Sequence, residues 1–160
     1  MLELPAQIER TVPAEYIDEN GHVNIGRYLE LGGKGLWKRF QSELGMPDSY
    51  ISERRLSTFT AEHHIRYYSE ILQGEDVSVH VRLLERSSRA AHAMSFIVNR
   101  THRRLACTVE VSIVHVDMVH RRPTEFPDDV AELMDAALKT ETELDWPAPV
   151  CGTMGARRPS

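Results

Sequence analysis

The sequence predicts an α+β fold in which one long helix packs beside a curved antiparallel sheet. Apolar side chains recur at helical spacing between residues 24 and 44, and after residue 57 the pattern changes to the alternation typical of strands. The links between these later runs are short and polar, which favours antiparallel neighbours because a parallel pair needs a crossover of about a dozen residues. A helix and a sheet bury each other's apolar faces if the sheet curves around the helix.

The predicted elements follow in a simple order along the chain. Pro13 lies inside the first strand and places it at an edge of the sheet or at its entry. Asn24 is a suitable N-cap for the long helix, and Gly45 followed by Pro47 is a conventional stop. The predictions are a strand at 9–16, a helix at 24–44, strands at 58–67, 77–84, 94–98 and 105–118, and a helix near 129–138.

The long helix carries an unusual number of glycines. Gly32, Gly33 and Gly35 each cost about 0.5–1 kcal/mol relative to alanine inside a helix. A helix that keeps all three is expected to need a close approach of another backbone or side chain at that point.

Length and composition limit the classes of protein. The chain has 160 residues, which suits one domain at 1–145 followed by a flexible tail at 146–160 rich in proline and glycine. The formal charge of −5 argues against a general binder of nucleic acid or of anionic membranes. No apolar run is long enough to span a membrane, and the first residues do not resemble a signal peptide, so we expect a cytoplasmic protein.

The densest group of reactive side chains lies at 18–24 (DENGHVN), between the first strand and the long helix. A helix N-terminus presents unpaired N–H groups and partial positive charge, which suit the stabilisation of an oxyanion. Asp18, Asn20 and His22 together offer a base or nucleophile, an orienting amide and a proton donor. The alternative is a plain Asx-type turn in which Asn24 only caps the helix.

These residues carry a family resemblance. Asp18-x-x-Gly21-x-Val23, with Tyr28 five residues later, resembles the catalytic loop of 4-hydroxybenzoyl-CoA-type thioesterases of the hotdog fold. The fuller string 18–24 is similar to plant-type acyl-ACP thioesterases and bacterial relatives, and 60–67 (TAEHHIRY) leading into 74–77 (GEDV) resembles the first strand after the hotdog helix. Over residues 8–138 the chain most resembles thioesterases of carnitine catabolism that release glycine betaine from betainyl-CoA.

The resemblance implies a fold, an activity and an assembly. The fold is the hotdog fold, a curved antiparallel sheet wrapped around one long central helix. The activity is hydrolysis of an acyl-CoA thioester, in which Asp18 attacks the carbonyl or activates a water. Asn20 and His22 are positioned to orient or polarise the reacting groups. Backbone N–H groups at the start of the Asn24 helix are the expected oxyanion site. Coenzyme A belongs to the substrate and no cofactor is implied, while the assembly is a homodimer or a dimer of dimers.

A betaine substrate would need aromatic faces and a carboxylate, because a trimethylammonium group donates no hydrogen bonds. The alternative is that aromatic residues at helical spacing are plain core. The candidates for substrate binding are Asn24, Tyr28, Trp37, Phe40, Tyr67, Tyr68 and the counter-charge Glu62.

The sequence gives weaker support for other kinds of site. His63 and His64 resemble metal ligands, but neighbours on a strand point to opposite faces, so no metal site is predicted there. Cys107 and Cys151 are too few for a disulfide framework and lack metal-ligand spacing. His63 is expected in the core.

The remaining alternatives for the function are a thioesterase for another short or aromatic acyl-CoA or for acyl-ACP, a hotdog enoyl-CoA hydratase, and a non-catalytic acyl-binding module.

Overall fold

A computed structural model describes residues 3–156 of the chain. Its helices are α1 (Ile25–Ser42), α2 (Tyr50–Arg54) and α3 (Asp128–Thr142), and a 3-10 turn lies at Ala14–Tyr16. Its strands are β1 (Ala6–Thr11), β2 (Leu56–Tyr67), β3 (Asp76–Arg86), β4 (Ala90–Asn99), β5 (Arg104–Asp117) and β6 (Arg122–Pro123). No helix within residues 3–156 is long and apolar enough to cross a membrane.

The order of elements agrees with the predicted α+β fold, with differences at the ends. The first strand was predicted to continue through Pro13, but β1 ends at Thr11 and Pro13 precedes the 3-10 turn. Proline has no N–H to donate to a strand ladder, so pairing stops there. The short elements α2 and β6 were not predicted, because five and two residues carry too little periodicity to detect.

The strands pair in the order β1-β3-β4-β5-β2, and β6 pairs with β5. β1 runs antiparallel to β3, with Ile8 opposite Val79 and Arg10 opposite Val77. β1 and β2 are therefore the two ends of this order, although β1 comes first in the sequence and β2 follows the long helix. β2 is exposed over residues 59–63, as expected of a strand at an edge.

The chain divides into two compact units. The first unit comprises residues 1–38, 65–82 and 94–109, and the second comprises 39–64, 83–93 and 110–160. The predicted division into a domain at 1–145 and a flexible tail stays a prediction.

In the first unit, α1 approaches the sheet through glycines. An added Cβ at Gly32 would lie 2.7 Å from Val109 Cγ2, and one at Gly35 would lie 2.5 Å from Val79 Cγ1. These distances are too short for a real side chain, so the predicted close approach is confirmed at both positions. A Cβ at Gly33 would meet nothing within 4 Å, so the prediction was wrong for this glycine. Helical periodicity places Gly33 on the exposed face of α1, away from the contacts that Gly32 and Gly35 make.

The second unit is held together by buried polar contacts as well as apolar packing. Arg39 of α1 forms a buried ion pair with Glu141 of α3, and Glu141 also accepts the N–H of Leu83 at 2.6 Å. The end of the described chain contacts the same unit. Ser112 Oγ donates to the carbonyl of Gly155 at 3.1 Å, and the N–H of Ala156 donates to Glu85 Oε2 at 3.1 Å.

Candidate active site

The segment 18–24 folds into a tight turn that ends where α1 begins. Ile17 and Val23 form an isolated antiparallel bridge, and the N–H of Asp18 donates to the carbonyl of His22 at 3.0 Å. Gly21 lies at the tip with a φ of +82°, a left-handed conformation that favours glycine. The turn brings the side chains of His22 and Asn24 close to the carboxylate of Asp18.

The Asp18 carboxylate is held at a fixed orientation. Its side chain is 11% exposed, its Oδ1 accepts the N–H of Asn20 at 2.9 Å, and its Oδ2 lies 3.4 Å from Asn24 Nδ2. His22 Nδ1 lies 3.9 Å from Asp18 Oδ1, and 3.1 Å from the carbonyl of Val23. Because Nδ1 must carry the proton to donate to that carbonyl in the neutral ring, Nε2 remains available to accept one.

Asn24 connects this carboxylate to the helix. Its Oδ1 accepts the N–H of Gly26 at 2.9 Å, and its carbonyl accepts the N–H of Arg27 at 2.9 Å. The predicted N-cap is confirmed. The same bonds occupy the N–H groups of Gly26 and Arg27, which the sequence had suggested for an oxyanion. The Asn24 side-chain NH₂ group, in contrast, points to Asp18, with Nδ2 at 3.4 Å from Oδ2.

Asp18 lines a cavity of about 410 Å³ in the first unit. Three carboxylates and one guanidinium face it, so its formal charge is negative. Hydrogen bonds from Lys34 and Arg27 lower the pKa of Glu30 to about 2, so this carboxylate stays ionised at neutral pH. The lining residues are Glu15, Tyr16, Ile17, Asp18, Asn24, Gly26, Arg27 and Glu30.

Tyr16 is the buried wall of this cavity, and two arginines cover its ring. The guanidinium carbons of Arg10 and Arg27 lie 4.7 and 4.9 Å from the ring centroid, and Arg10 Nη1 donates to the Tyr16 hydroxyl at 2.7 Å. These contacts leave little of the Tyr16 ring for a substrate cation. No sequence motif pointed to Tyr16, Arg27 or Glu30 as residues of this cavity. The spacing of Arg27, Glu30 and Lys34 along the helix was the available signal for the ion pairs.

Two of the predicted substrate-binding aromatics form a pair. The rings of Tyr28 and Tyr67 lie edge to face, with centroids 5.3 Å apart and planes at 83°. Tyr28 is buried, and burial raises its pKa to about 12, whereas Tyr67 is 47% exposed. Tyr67 therefore keeps part of its ring exposed, while Tyr28 packs against it from the core. Trp37 is half-buried on the same helix as Tyr28.

The other residues singled out from the sequence lie in different environments. Tyr68 is 43% exposed, and Phe40 is buried within the second unit. Glu62 is exposed on β2 and lines a cavity of about 700 Å³ in the second unit, together with Ser87, Arg89 and Thr153. His63 is exposed, so its expected place in the core was wrong.

Cys107 is excluded as a nucleophile. Its side chain is completely buried, and burial raises the pKa of its thiol to about 12. A thiol with such a pKa is protonated at neutral pH and unreactive.

The fold and the turn at Asp18 define the class of protein, a hotdog-fold member of the thioesterase type. The chain belongs to the Thioesterase-like superfamily, whose family profile matches residues 12–134. The resemblance stated from the sequence is confirmed.

Two curated relatives have the name L-carnitine dehydrogenase/betainyl-CoA thioesterase. The protein from Ruegeria pomeroyi is 28% identical over 140 residues, which cover 88% of this chain and 28% of the relative. The protein from a Rhizobium species is 25% identical over 154 residues, covering 94% of this chain and 30% of the relative. The chain thus spans less than a third of the length of these relatives.

Solved structures confirm the hotdog fold. A Staphylococcus aureus protein determined in complex with CoA superposes with a TM-score of 0.80 at 23% identity, covering 90% of each chain. A 1,4-dihydroxy-2-naphthoyl-CoA thioesterase from Synechocystis superposes with a TM-score of 0.68 at 18% identity, covering 88% of this chain and 97% of its own.

Proposed function

We propose that this chain hydrolyses acyl-CoA thioesters at Asp18. The observation that carries the proposal is the placement of the Asp18 carboxylate. It is mostly buried in the wall of a cavity, oriented by the N–H of Asn20 and faced by the amide of Asn24. Membership of the Thioesterase-like superfamily supports the reaction type.

Two routes lead from this geometry to the same products. In one, Asp18 attacks the thioester carbonyl carbon, the thiolate of coenzyme A leaves, and water then hydrolyses the mixed anhydride. In the other, Asp18 removes a proton from a water that attacks the carbonyl directly. In both, Asn24 Nδ2 donates a hydrogen bond to the carbonyl oxygen as it becomes negative. In the water route, the proton that Asp18 removes passes through His22 Nε2 to the leaving thiolate. In the covalent route, His22 Nε2 takes the proton of the water that hydrolyses the anhydride, and the thiolate is protonated from solvent.

Betainyl-CoA is the proposed substrate. The relatives that cover most of this chain have betainyl-CoA thioesterase in their names. The charge of the cavity supports a cationic acyl group, because Glu15 and Asp18 face it in addition to Glu30, which is itself paired with Arg27 and Lys34. The exposed ring of Tyr67 supplies an aromatic surface for a trimethylammonium group.

We further propose that the protein acts in the cytoplasm as a homodimer. β2 is a 12-residue strand at the end of the sheet order, and Phe59 and Tyr67 on it are 38% and 47% exposed. A long exposed edge with such side chains favours pairing with a second copy. Analytical ultracentrifugation at micromolar concentration tests this assembly, and an active monomer of about 18.3 kDa would contradict it.

A panel of acyl-CoA esters tests the activity and the substrate together. Release of free thiol is measured for betainyl-CoA, its neutral isostere 3,3-dimethylbutyryl-CoA, 1,4-dihydroxy-2-naphthoyl-CoA and an enoyl-CoA. We expect kcat/KM for betainyl-CoA to exceed that for the neutral isostere about tenfold, a difference of about 1.4 kcal/mol.

The other outcomes are distinct. Equal rates for the cation and its isostere, or a preference for the aromatic ester, would overturn the betaine assignment and keep the thioesterase. Loss of enoyl absorbance without thiol release would indicate a hydratase. Binding of the esters without any turnover would indicate an acyl-binding module.

A further inference from the structure

We propose that His64, Glu110 and Cys151 in the second unit form a binding site for a divalent zinc-type metal ion. His64 lies on β2, Glu110 lies on β5, and Cys151 lies in the segment that follows α3. One ligand atom from each residue lies within 4.8 Å of the other two, and His64 Nδ1 is 3.7 Å from Glu110 Oε2. None of the three lines the cavity at Asp18 or takes part in the proposed hydrolysis.

Glu110 is the centre of this cluster. Its side chain is completely buried, and a carboxylate is buried at this depth only where charged or polar partners compensate. His92 Nε2 donates to Oε1 at 2.8 Å, and the N–H of Cys151 donates to Oε2 at 2.8 Å. A carboxylate oxygen has two lone pairs and can accept more than one bond, so both oxygens of Glu110 can still coordinate an ion. His92 would then orient the coordinating carboxylate, as outer-shell partners do in metal sites.

The donor set selects the class of ion. An imidazole nitrogen, a carboxylate oxygen and a thiolate sulfur are the three ligand types that zinc binds in proteins, at about 2.0–2.3 Å. Tetrahedral coordination with such bonds places neighbouring ligand atoms about 3.3–3.6 Å apart. The distance between His64 and Glu110 is already close to this range. A small movement of Cys151 completes the trio, with water as the fourth ligand.

Binding at this site requires Cys151 to lose its thiol proton, because the thiolate is the ligand. The proton passes to the buffer as the sulfur–metal bond forms. Cys151 Sγ lies 3.3 Å from Thr153 Oγ1, so metal binding exchanges this weak contact for a coordinate bond.

The ion would fasten the end of the described chain to the sheet. Cys151 is already attached there through its N–H, and the carbonyl of Gly155 accepts a hydrogen bond from Ser112 on β5. A metal bond between Cys151 and two strands adds to these contacts and stabilises the folded protein in proportion to the logarithm of the free metal concentration.

Cobalt(II) titration of the metal-free full chain tests the site. Co²⁺ replaces Zn²⁺ in tetrahedral sites and gives a sulfur-to-cobalt absorption when a thiolate coordinates it. We expect this absorption to saturate at one equivalent, with release of protons, and to disappear when Zn²⁺ is added.

The variants Cys151→Ser and His64→Gln should each weaken Co²⁺ binding at least ~10²-fold, and His92→Gln should weaken it about 10–100-fold. His63→Gln is the matched control, since His63 is the adjacent residue on β2, is exposed, and points to the opposite face. Cys151→Ser keeps the backbone N–H that Glu110 accepts, and thermal melts establish that each variant is folded. If one ligand variant does not fold, the other decides.

Thiol alkylation gives a second readout. Cys107 is completely buried, so alkylation of the native protein reports Cys151, and Zn²⁺ should slow it at least tenfold. Absence of the sulfur-to-cobalt absorption, alkylation that Zn²⁺ does not slow, or full binding by the ligand variants would each overturn the proposal. These outcomes are independent of hydrolytic activity.

Discussion

Asn24 faces Asp18 with one end of its amide and caps α1 with the other. Its Nδ2 lies 3.4 Å from Asp18 Oδ2, and its Oδ1 accepts the N–H of Gly26 at 2.9 Å. One side chain therefore links the orientation of the proposed catalytic carboxylate to the start of the helix.

The variant Asp18→Asn should lower kcat at least ~10²-fold without unfolding the protein, because the amide keeps the size of the side chain but is neither a base nor a nucleophile. Thiol release and a thermal melt are measured on the same preparation. Glu19→Gln, an exposed neighbour, is the matched control and should keep its rate. Turnover near the wild-type rate in folded Asp18→Asn would remove Asp18 from the mechanism.

Asn24→Ser and Asn24→Ala divide the two functions of Asn24. Serine still caps a helix but has no NH₂ group, so Asn24→Ser should lose activity and keep the free energy of unfolding. Alanine loses the cap as well and should lower that free energy by about 1 kcal/mol. Urea unfolding and steady-state kinetics measure the two quantities. Full activity in Asn24→Ser would show that the amide donates nothing to the reacting carbonyl.

Alanine substitutions in α1 should have opposite effects at neighbouring positions. Gly35→Ala places a Cβ 2.5 Å from Val79 Cγ1, and we expect a loss of about 1–3 kcal/mol in the free energy of unfolding. Gly33→Ala meets nothing within 4 Å and should gain about 0.5–1 kcal/mol from the lower entropy of the unfolded chain. Denaturant titration of both variants checks the difference. The same sign at both positions would contradict the packing of α1.

His115 should make stability depend on pH near neutrality. Its Nε2 lies 2.9 Å from the Tyr50 hydroxyl, its Nδ1 lies 3.2 Å from the carbonyl of Thr124, and burial lowers its pKa below the ordinary value of 6.5. The unfolded chain binds more protons than the native protein between the lowered pKa and 6.5. The free energy of unfolding therefore rises with pH across this window and falls as the pH drops below about 6.5.

Urea unfolding between pH 7.5 and pH 5.5 measures this slope, which His115→Gln should reduce. Carboxylates with lowered pKa values, such as Asp117, contribute at lower pH, so they do not mask the effect. His63→Gln is the comparison, because desolvation also lowers the pKa of His63, but His63 is exposed and its variant should reduce the slope less than His115→Gln. An unchanged slope in folded His115→Gln would show that His115 is not the titrating group.

Local patterns predicted much of this protein because they act over a few residues. The period of apolar side chains located α1 and the four long strands, and Asn24 and Gly45 marked the helix ends. The string at 18–24 predicted the clustered side chains around Asp18, since a tight turn brings near neighbours together whatever the rest of the chain does.

Only the tertiary structure decided which distant residues meet. The sequence required a close approach at three glycines, but the face of α1 that meets the sheet selects Gly32 and Gly35 and leaves Gly33 free. His64, Glu110 and Cys151 come together because β2 lies beside β5 and the segment after α3 returns to that surface. Strand order and chain return are set by burial of the whole apolar surface, a property of all the elements together, so no local pattern contains them.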